Sequence, residues 1–215
     1  MTTSAPRVES TQLEPSGGWA QPPEARLVPR PPAERGLLFR ALSRGSTFFG
    51  RPELPNIFPV LHLHPGLFWS WLVFASRLMP YGSLHARIRE KLILRTAWNC
   101  RSRYEWGQHV DLALAAGVTD AEIVDVTRGP DVIPDGVERA LLSACDELCA
   151  ESFVRETTWQ VLAQRFERSQ LVEIVMLVGH YRMLAGFLNT AGLALEAPVE
   201  EQLAAFHRRI TSRAT

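Results

Sequence analysis

Two side chains able to exchange a proton, Glu90 and His109, stand 19 residues apart in EKLILRTAWNCRSRYEWGQH, a run that ends with LALAAG at Gly117. In one continuous helix that separation is roughly 28 Å, at about 1.5 Å per residue, and the two groups never meet. A break is written between them. Asn99 and Cys100 are poor helix formers, and Ser102-Arg103-Tyr104-Glu105 reads as a Ser-x-x-Glu capping box that opens a second helix. Two helices joined in this way can fold back and bring a carboxylate against an imidazole.

The helical phases agree. Advancing each residue by about 100° puts Ala86, Ile93, Leu94 and Ala97 on the face of Glu90. It puts Trp106, Leu112, Ala113 and Ala116 around His109, with Ser102 and Glu105 on the same stripe. A carboxylate in an apolar arc is costly when ionised. It is either paired or raised in pKa, and is then poised for proton transfer near neutral pH. Structural readings stay open beside this one: Glu105 can serve the cap alone, His109 can be a hydrogen-bonded core residue, and Glu90 can hold a helix end or an arginine such as Arg95.

A second carboxylate and imidazole follow downstream. From Ser169 to Ala191, the residues Glu173, Met176, Leu177, His180, Leu184 and Phe187 share one face. This segment stops at Thr190-Ala191-Gly192 as the first stops at Ala115-Ala116-Gly117, which suggests a degenerate internal repeat with a shorter second copy. His180 and Tyr181 either bond locally in the core or line the same pocket as Glu90 and His109. His62 and His64, two apart, project to opposite sides of an extended segment, and neither HExxH nor a cysteine-rich cluster accompanies them, so no metal is expected. Three cysteines, Cys100, Cys145 and Cys149, form an odd set with no secretory signal before them, which fits a reducing cytoplasmic setting. Cys145 and Cys149, at i and i+4, read as small buried hydrophobes.

The elements that must carry these groups are all helical; no stretch alternates like a strand. With 215 residues, 46% hydrophobic and 21% charged, the chain is sized for one buried domain, here residues 36–215, preceded by an arm. That arm, residues 1–35, holds seven of the fifteen prolines and no sustained period, and is expected to be disordered or loosely packed. A formal charge of zero and dispersed arginines give no electrostatic reason to expect nucleic acid or an anionic membrane. The apolar run from Ile57 to Met79 is cut by Pro59 and Pro65, too short to span a bilayer, and reads as a core helix beginning at Pro65. Its Phe68, Trp69, Trp71, Leu72 and Phe74 face too many ways for one covering surface, and Phe48-Phe49 also need cover, so a second subunit is expected. Thr119-x-x-Glu122 caps a short helix, Asp135 a longer one to about Glu151, Thr157 or Thr158 starts another, and Pro198 opens a last helix docked by Leu203, Phe206 and Ile210.

Glu90, YEWGQH, the small-residue run to Gly117 and the following VTDAEI resemble the carboxymuconolactone decarboxylase and alkylhydroperoxidase-D-like superfamily. The likeness runs from about residue 37 to 195. It implies an all-α fold of about eight helices around a core helix pair, and a homo-oligomer, a trimer or a hexamer of trimers. In the peroxidase branch a Cys-x-x-Cys pair precedes the histidine; here those two positions are Ser102 and Glu105, and Cys100 lies two residues off. A thiolate and its resolving thiol must be close together, so the decarboxylase branch fits better. That branch implies acid/base chemistry without metal or cofactor on a small carboxylated or lactone-like compound. His109 would then move the proton and Glu90 orient it. Arg95, Arg101 or Arg103 would hold the substrate carboxylate, with Ser102, Glu105, Trp106, His180 and Tyr181 around it. Two alternatives stay open: peroxide reduction by Cys100 alone, and a non-catalytic helical oligomer that binds a small molecule.

Overall fold

The computed structural model describes residues 13–46 and 54–212, and these form ten α-helices with no strand among them. In chain order they are α1 (Leu37–Ser46), α2 (Ile57–Leu61), α3 (Pro65–Leu78), α4 (Ala86–Asn99), α5 (Arg103–Ala115), α6 (Asp120–Arg128), α7 (Gly136–Glu151), α8 (Glu156–Arg165), α9 (Arg168–Ala191) and α10 (Ala197–Ser212). Phe48 and Phe49 lie outside the described residues.

The helix starts follow the local chemistry. Pro65 opens α3 at its first turn, and His64 Nδ1 accepts from the Leu67 amide at 3.1 Å, which gives that histidine a capping role. Thr119 and Glu122 form a reciprocal capping box on α6. Asp135 accepts from the Glu138 amide at 2.7 Å to start α7, which ends at Glu151. Leu203, Phe206 and Ile210 dock α10.

The hub is α4, which packs against α5, α6, α7 and α9. Residues Glu90 to Ala97 are all buried, so α4 is covered on every side. Its Leu92 and Ile93 join a core with Leu141, Ile174, Leu177 and Leu188, while Leu94 and Ala97 join a second with Trp106, Ile123, Leu142 and Phe206.

Three features differ from the sequence expectation. The chain from Leu13 to Leu27 is laid onto the domain: Leu13 is buried, Trp19 stands edge-on to Trp98 at 5.7 Å, and the Ala20 and Arg26 amides donate to the carbonyls of Arg101 and Ala191 at 2.9 Å each. Proline-rich composition marks the absence of helix there, and the tryptophan and amide contacts supply the docking. Second, the suggested internal repeat does not extend to the helix layout: the first Glu/His pair sits on two helices, whereas Glu173 and His180 share α9, the single 24-residue helix that the sequence pattern predicts. Its Glu173 accepts from the amides of Ser83 and Leu84, at 2.7 and 3.2 Å, ahead of α4, and so braces a loop. Third, the count is ten helices rather than about eight, with the short α2 lying ahead of the helix that begins at Pro65. By length and composition α9 also passes as a membrane span, with half of its apolar window buried inside the fold.

Candidate active site

The turn between α4 and α5 sets the site. Cys100 caps α4, and Arg101 adopts the left-handed region at φ 55°, which reverses the chain. Ser102 then occupies the N-cap of α5, but its side chain makes no capping bond. The Ser102–Glu105 box therefore does not form. The first turn of α5 is inside the core, so both side chains point into protein, and Ser102 Oγ and both Glu105 oxygens have no hydrogen-bond partner. Close packing continues along α5: a Cβ on Gly107 would lie 2.5 Å from Leu195 Cδ1.

One turn on, His109 Nδ1 is 2.7 Å from Glu90 Oε2, and both residues are buried. Burial pushes the Glu90 carboxyl up, but the hydrogen bond and charge of His109 and the Arg89 guanidinium outweigh it and hold the carboxyl below its ordinary value. Arg89 Nε donates to Glu90 Oε1 at 3.0 Å. An ionised Glu90 fixes the imidazole tautomer: Nδ1–H donates to the carboxylate, which leaves Nε2 free to accept a proton. The ring also stands perpendicular to Tyr181, centroids 5.0 Å apart.

His109 and Glu105, four residues apart on one face of α5, both line a cavity of about 460 Å³. Its wall is apolar, formed by Ile57 and Phe58 of α2, Trp71 and Leu72 of α3, and Leu184 and Leu188 of α9. Glu105 is held well above the ordinary carboxylate range, first by burial and then by the charge of Cys149, so its carboxyl is neutral and can donate a proton. His180, stacked on Trp71, is pushed down to about 4 by burial and is neutral. Trp71 Nε1 and His180 Nδ1, like the Glu105 oxygens, are buried without partners, so three residues lining this hollow carry unused polar atoms. At its edge Tyr104 Oη donates to Glu196 at 2.8 Å, and Gln108 also bonds Glu196.

Glu90, Glu105, His109, His180 and Tyr181 thus come together. The three arginines do not. Arg95 pairs with both Asp146 oxygens, at 2.6 and 2.8 Å, and with the Val126 carbonyl; Arg101 donates to the carbonyls of Gly17 and Gly18 at 2.6 Å; Arg103 pairs with Glu200. Each is a structural tie, since a guanidinium left near carboxylates or bare carbonyls is taken by them. Ser102 and Trp106 are buried away from the cavity, Trp106 against Trp19 and Trp98. Sequence reasoning missed Trp71 and Gln108. The signal for Trp71 was the surplus of aromatics on α3; Gln108 follows Glu105 within one turn, on the face already picked out.

A larger cleft of about 590 Å³ lies beside Arg87, Lys91, Glu122 and Glu138. These four charges satisfy one another, Lys91 Nζ lying 2.7 Å from both glutamates and Arg87 pairing with Glu122. Among the described residues no cluster of three or more His, Cys, Asp or Glu is placed to hold a metal.

Residues 65–147, from α3 into α7, match the carboxymuconolactone decarboxylase family. The match covers the central segment, less than half of the chain. No curated protein sequence matches the chain. Among solved structures, the fold is similar to the alkylhydroperoxidase AhpD core of a peroxidase-related protein from Ralstonia eutropha JMP134, with a TM-score of 0.73 and 18% identity over 83% of this chain and 95% of that one. A peroxidase-related protein from Silicibacter sp. TM1040 gives a TM-score of 0.71 at 15% identity, covering 85% and 97%. The debrominase Bmp8 in complex with 2,3,4-tribromopyrrole gives 0.70 at 13% identity, covering 86% and 98%. The decarboxylase-family segment carries Glu90, Glu105 and His109, while α9 adds His180 and Tyr181 from outside it.

Proposed function

We propose that this carboxymuconolactone-decarboxylase family protein is an enzyme that performs acid/base chemistry, a lyase or isomerase step, on a small and largely apolar compound. The observation that carries the reading is the pairing of opposite proton roles on one face of α5. His109, oriented by Glu90, presents a base to the cavity, and Glu105, neutral through burial, presents an acid. A carbon acid placed between them loses a proton to His109 Nε2 while Glu105 gives one to the developing enolate oxygen. That oxygen is stabilised as charge grows, beside a largely apolar wall.

The arginines' positions narrow the substrate. With all three candidates spent elsewhere, no arginine or lysine among the described residues lines the cavity to meet a free carboxylate, so the favoured substrate is uncharged and lactone-like. Bmp8 binds a halogenated pyrrole, another small apolar ring; the apolar wall here suits such shapes. Cys100 as a lone peroxide-reducing thiol finds less support, because it is not among the cavity-lining residues and its thiol is pushed up by its hydrogen bond to Cys149 and by burial. We further propose a homo-oligomer: Val73 on α3 and Val172 and Met183 on α9 are all more than half exposed.

The test is proton exchange. Neutral lactones and enolisable ketones are incubated with protein in deuterated buffer, and deuterium uptake and product formation are followed by NMR. Uptake that is lost in His109→Asn supports the reading; equal rates with wild type and variant refute it.

A further inference from the structure

The acid/base reading uses two polar side chains of the cavity, Glu105 and His109. The rest of its polar lining divides into spent and unspent atoms. Ser76 Oγ donates to the Val73 carbonyl at 2.7 Å, Tyr104 Oη to Glu196 at 2.8 Å and Tyr181 Oη to Met79 Sδ at 3.8 Å, while the Gln108 amide also bonds Glu196. Two side chains hold polar atoms in reserve. Trp71 Nε1 and His180 Nδ1 are buried without a partner among the described residues, and both residues line the hollow.

An indole N–H can only donate, and burying it with no acceptor has a free-energy cost that a phenyl ring in its place would avoid. Phenyl rings are plentiful here. Phe58 and Phe68 pack on Trp71 with centroids 5.9 and 6.3 Å away, and Phe74 stands edge-on to His180 at 5.4 Å. Among them Trp71 and His180 lie nearly parallel, at 22° with centroids 6.1 Å apart, so the two unspent nitrogens belong to one stacked pair. With its proton on Nδ1, the neutral His180 is a second donor on that pair.

We propose that Trp71 and His180 form a second hydrogen-bonding subsite in the cavity, which takes a neutral carbonyl oxygen of the substrate away from the reacting centre. The pair comes from α3 and α9, whereas Glu105 and His109 come from α5. A ring held by both sets offers one carbonyl to Glu105, with its acidic C–H at His109, and a second carbonyl to Trp71. The favoured substrates are therefore cyclic dicarbonyl compounds and lactones that carry an oxo group. Placing the reacting carbonyl at Glu105 rests on the acid/base reading proposed above; the second carbonyl rests on Trp71 and His180. An indole and a neutral imidazole hold a carbonyl without an ion, in keeping with the apolar wall around them. Trp71 is thus a specificity-determining residue: a compound lacking the second oxygen leaves its N–H unpaired.

The experiment uses the full chain and two probes of one ring size, 1,4-cyclohexanedione and cyclohexanone. Dissociation constants come from NMR titration of nitrogen-15-labelled protein through its indole N–H signals, with that of Trp71 assigned by its absence in Trp71→Phe. The dione is expected to bind about three- to tenfold more tightly than the monoketone, the range set by one net hydrogen bond. It should also shift the Trp71 Nε1–H proton downfield, with cyclohexanone moving it less. Trp71→Phe should abolish the preference for the dione and His180→Phe should reduce it. Equal affinities in the wild type, no binding of the dione, indole signals that the dione leaves in place, or a preference that survives in Trp71→Phe overturns the proposal. The wild-type affinities and indole signals decide the question even where a variant fails to fold. Deuterium exchange into the same two ketones is read in parallel. Exchange without the preference removes the subsite and leaves the acid/base reading; the preference without exchange does the reverse.

Discussion

Replacing Glu105 with Gln separates what this carboxyl does for chemistry from what it costs the fold. Glu105 is 2% exposed, has no partner for either oxygen, and is held protonated in the folded state well above the ordinary carboxylate value. In the unfolded chain it ionises near about 4.3. Above that pH the folded state binds one more proton than the unfolded state, so stability falls as pH rises, by about 1.4 kcal/mol per pH unit, until the raised folded pKa is reached. Gln keeps the shape and cannot ionise. The variant carries its own pH-independent cost, about 1–3 kcal/mol for a buried amide without partners, so the informative quantity is the slope. Thermal unfolding of both proteins at half-unit steps upward from pH 5 should show the variant gaining on wild type until the raised folded pKa is passed. At about 2–4 °C per kcal/mol for a chain of this size, the gain is roughly 3–6 °C for each pH unit. Turnover should fall by about 10²- to 10⁴-fold in the same variant. Parallel melting curves across that range would refute the argument that the fold keeps this carboxyl neutral.

Other outcomes follow from the same geometry. Glu90→Gln removes the charge that orients His109, and kcat should drop by about 10²-fold or more with KM little changed, read from saturation curves on any compound that shows exchange. His180, pushed down to about 4, has the opposite sign to Glu105: its stabilising effect is full above about 6.5 and is lost toward pH 4, so urea titrations should show a falling acid limb that His180→Phe flattens. Leu184→Trp fills the cavity and should weaken ligand binding about tenfold by calorimetry, at a stability cost of about 1–3 kcal/mol. Arg101→Ala frees the Gly17 and Gly18 carbonyls, and limited proteolysis should then cut within residues 13–27 sooner than in wild type.

The central pair was legible because its signal is local: a break at Asn99-Cys100 and two apolar faces are enough to place Glu90 near His109. The capping box failed for the converse reason. Ser102-x-x-Glu105 has the right spacing, but whether those side chains turn back along a helix end depends on what surrounds that end, and here it is buried by packing from distant segments. The arginines failed alike, since Asp146, Glu200 and the Gly17-Gly18 carbonyls that claim them lie tens of residues away. Docking of Leu13 to Leu27 was hidden because proline content reports on helix formation and says nothing of tryptophan burial.

The two proton-exchanging groups that line the cavity share one element. Glu105 and His109 sit on α5 with Tyr104 and Gln108, while the apolar side chains of the wall come mainly from α2, α3 and α9, and α9 also adds His180 and Tyr181. Apolar residues of the wall can therefore be exchanged to admit rings of other sizes without disturbing either proton-exchanging group, whereas any rotation of α5 moves both at once. Diversification of what enters the hollow is cheap in this architecture; a change in the kind of chemistry requires a new helix register.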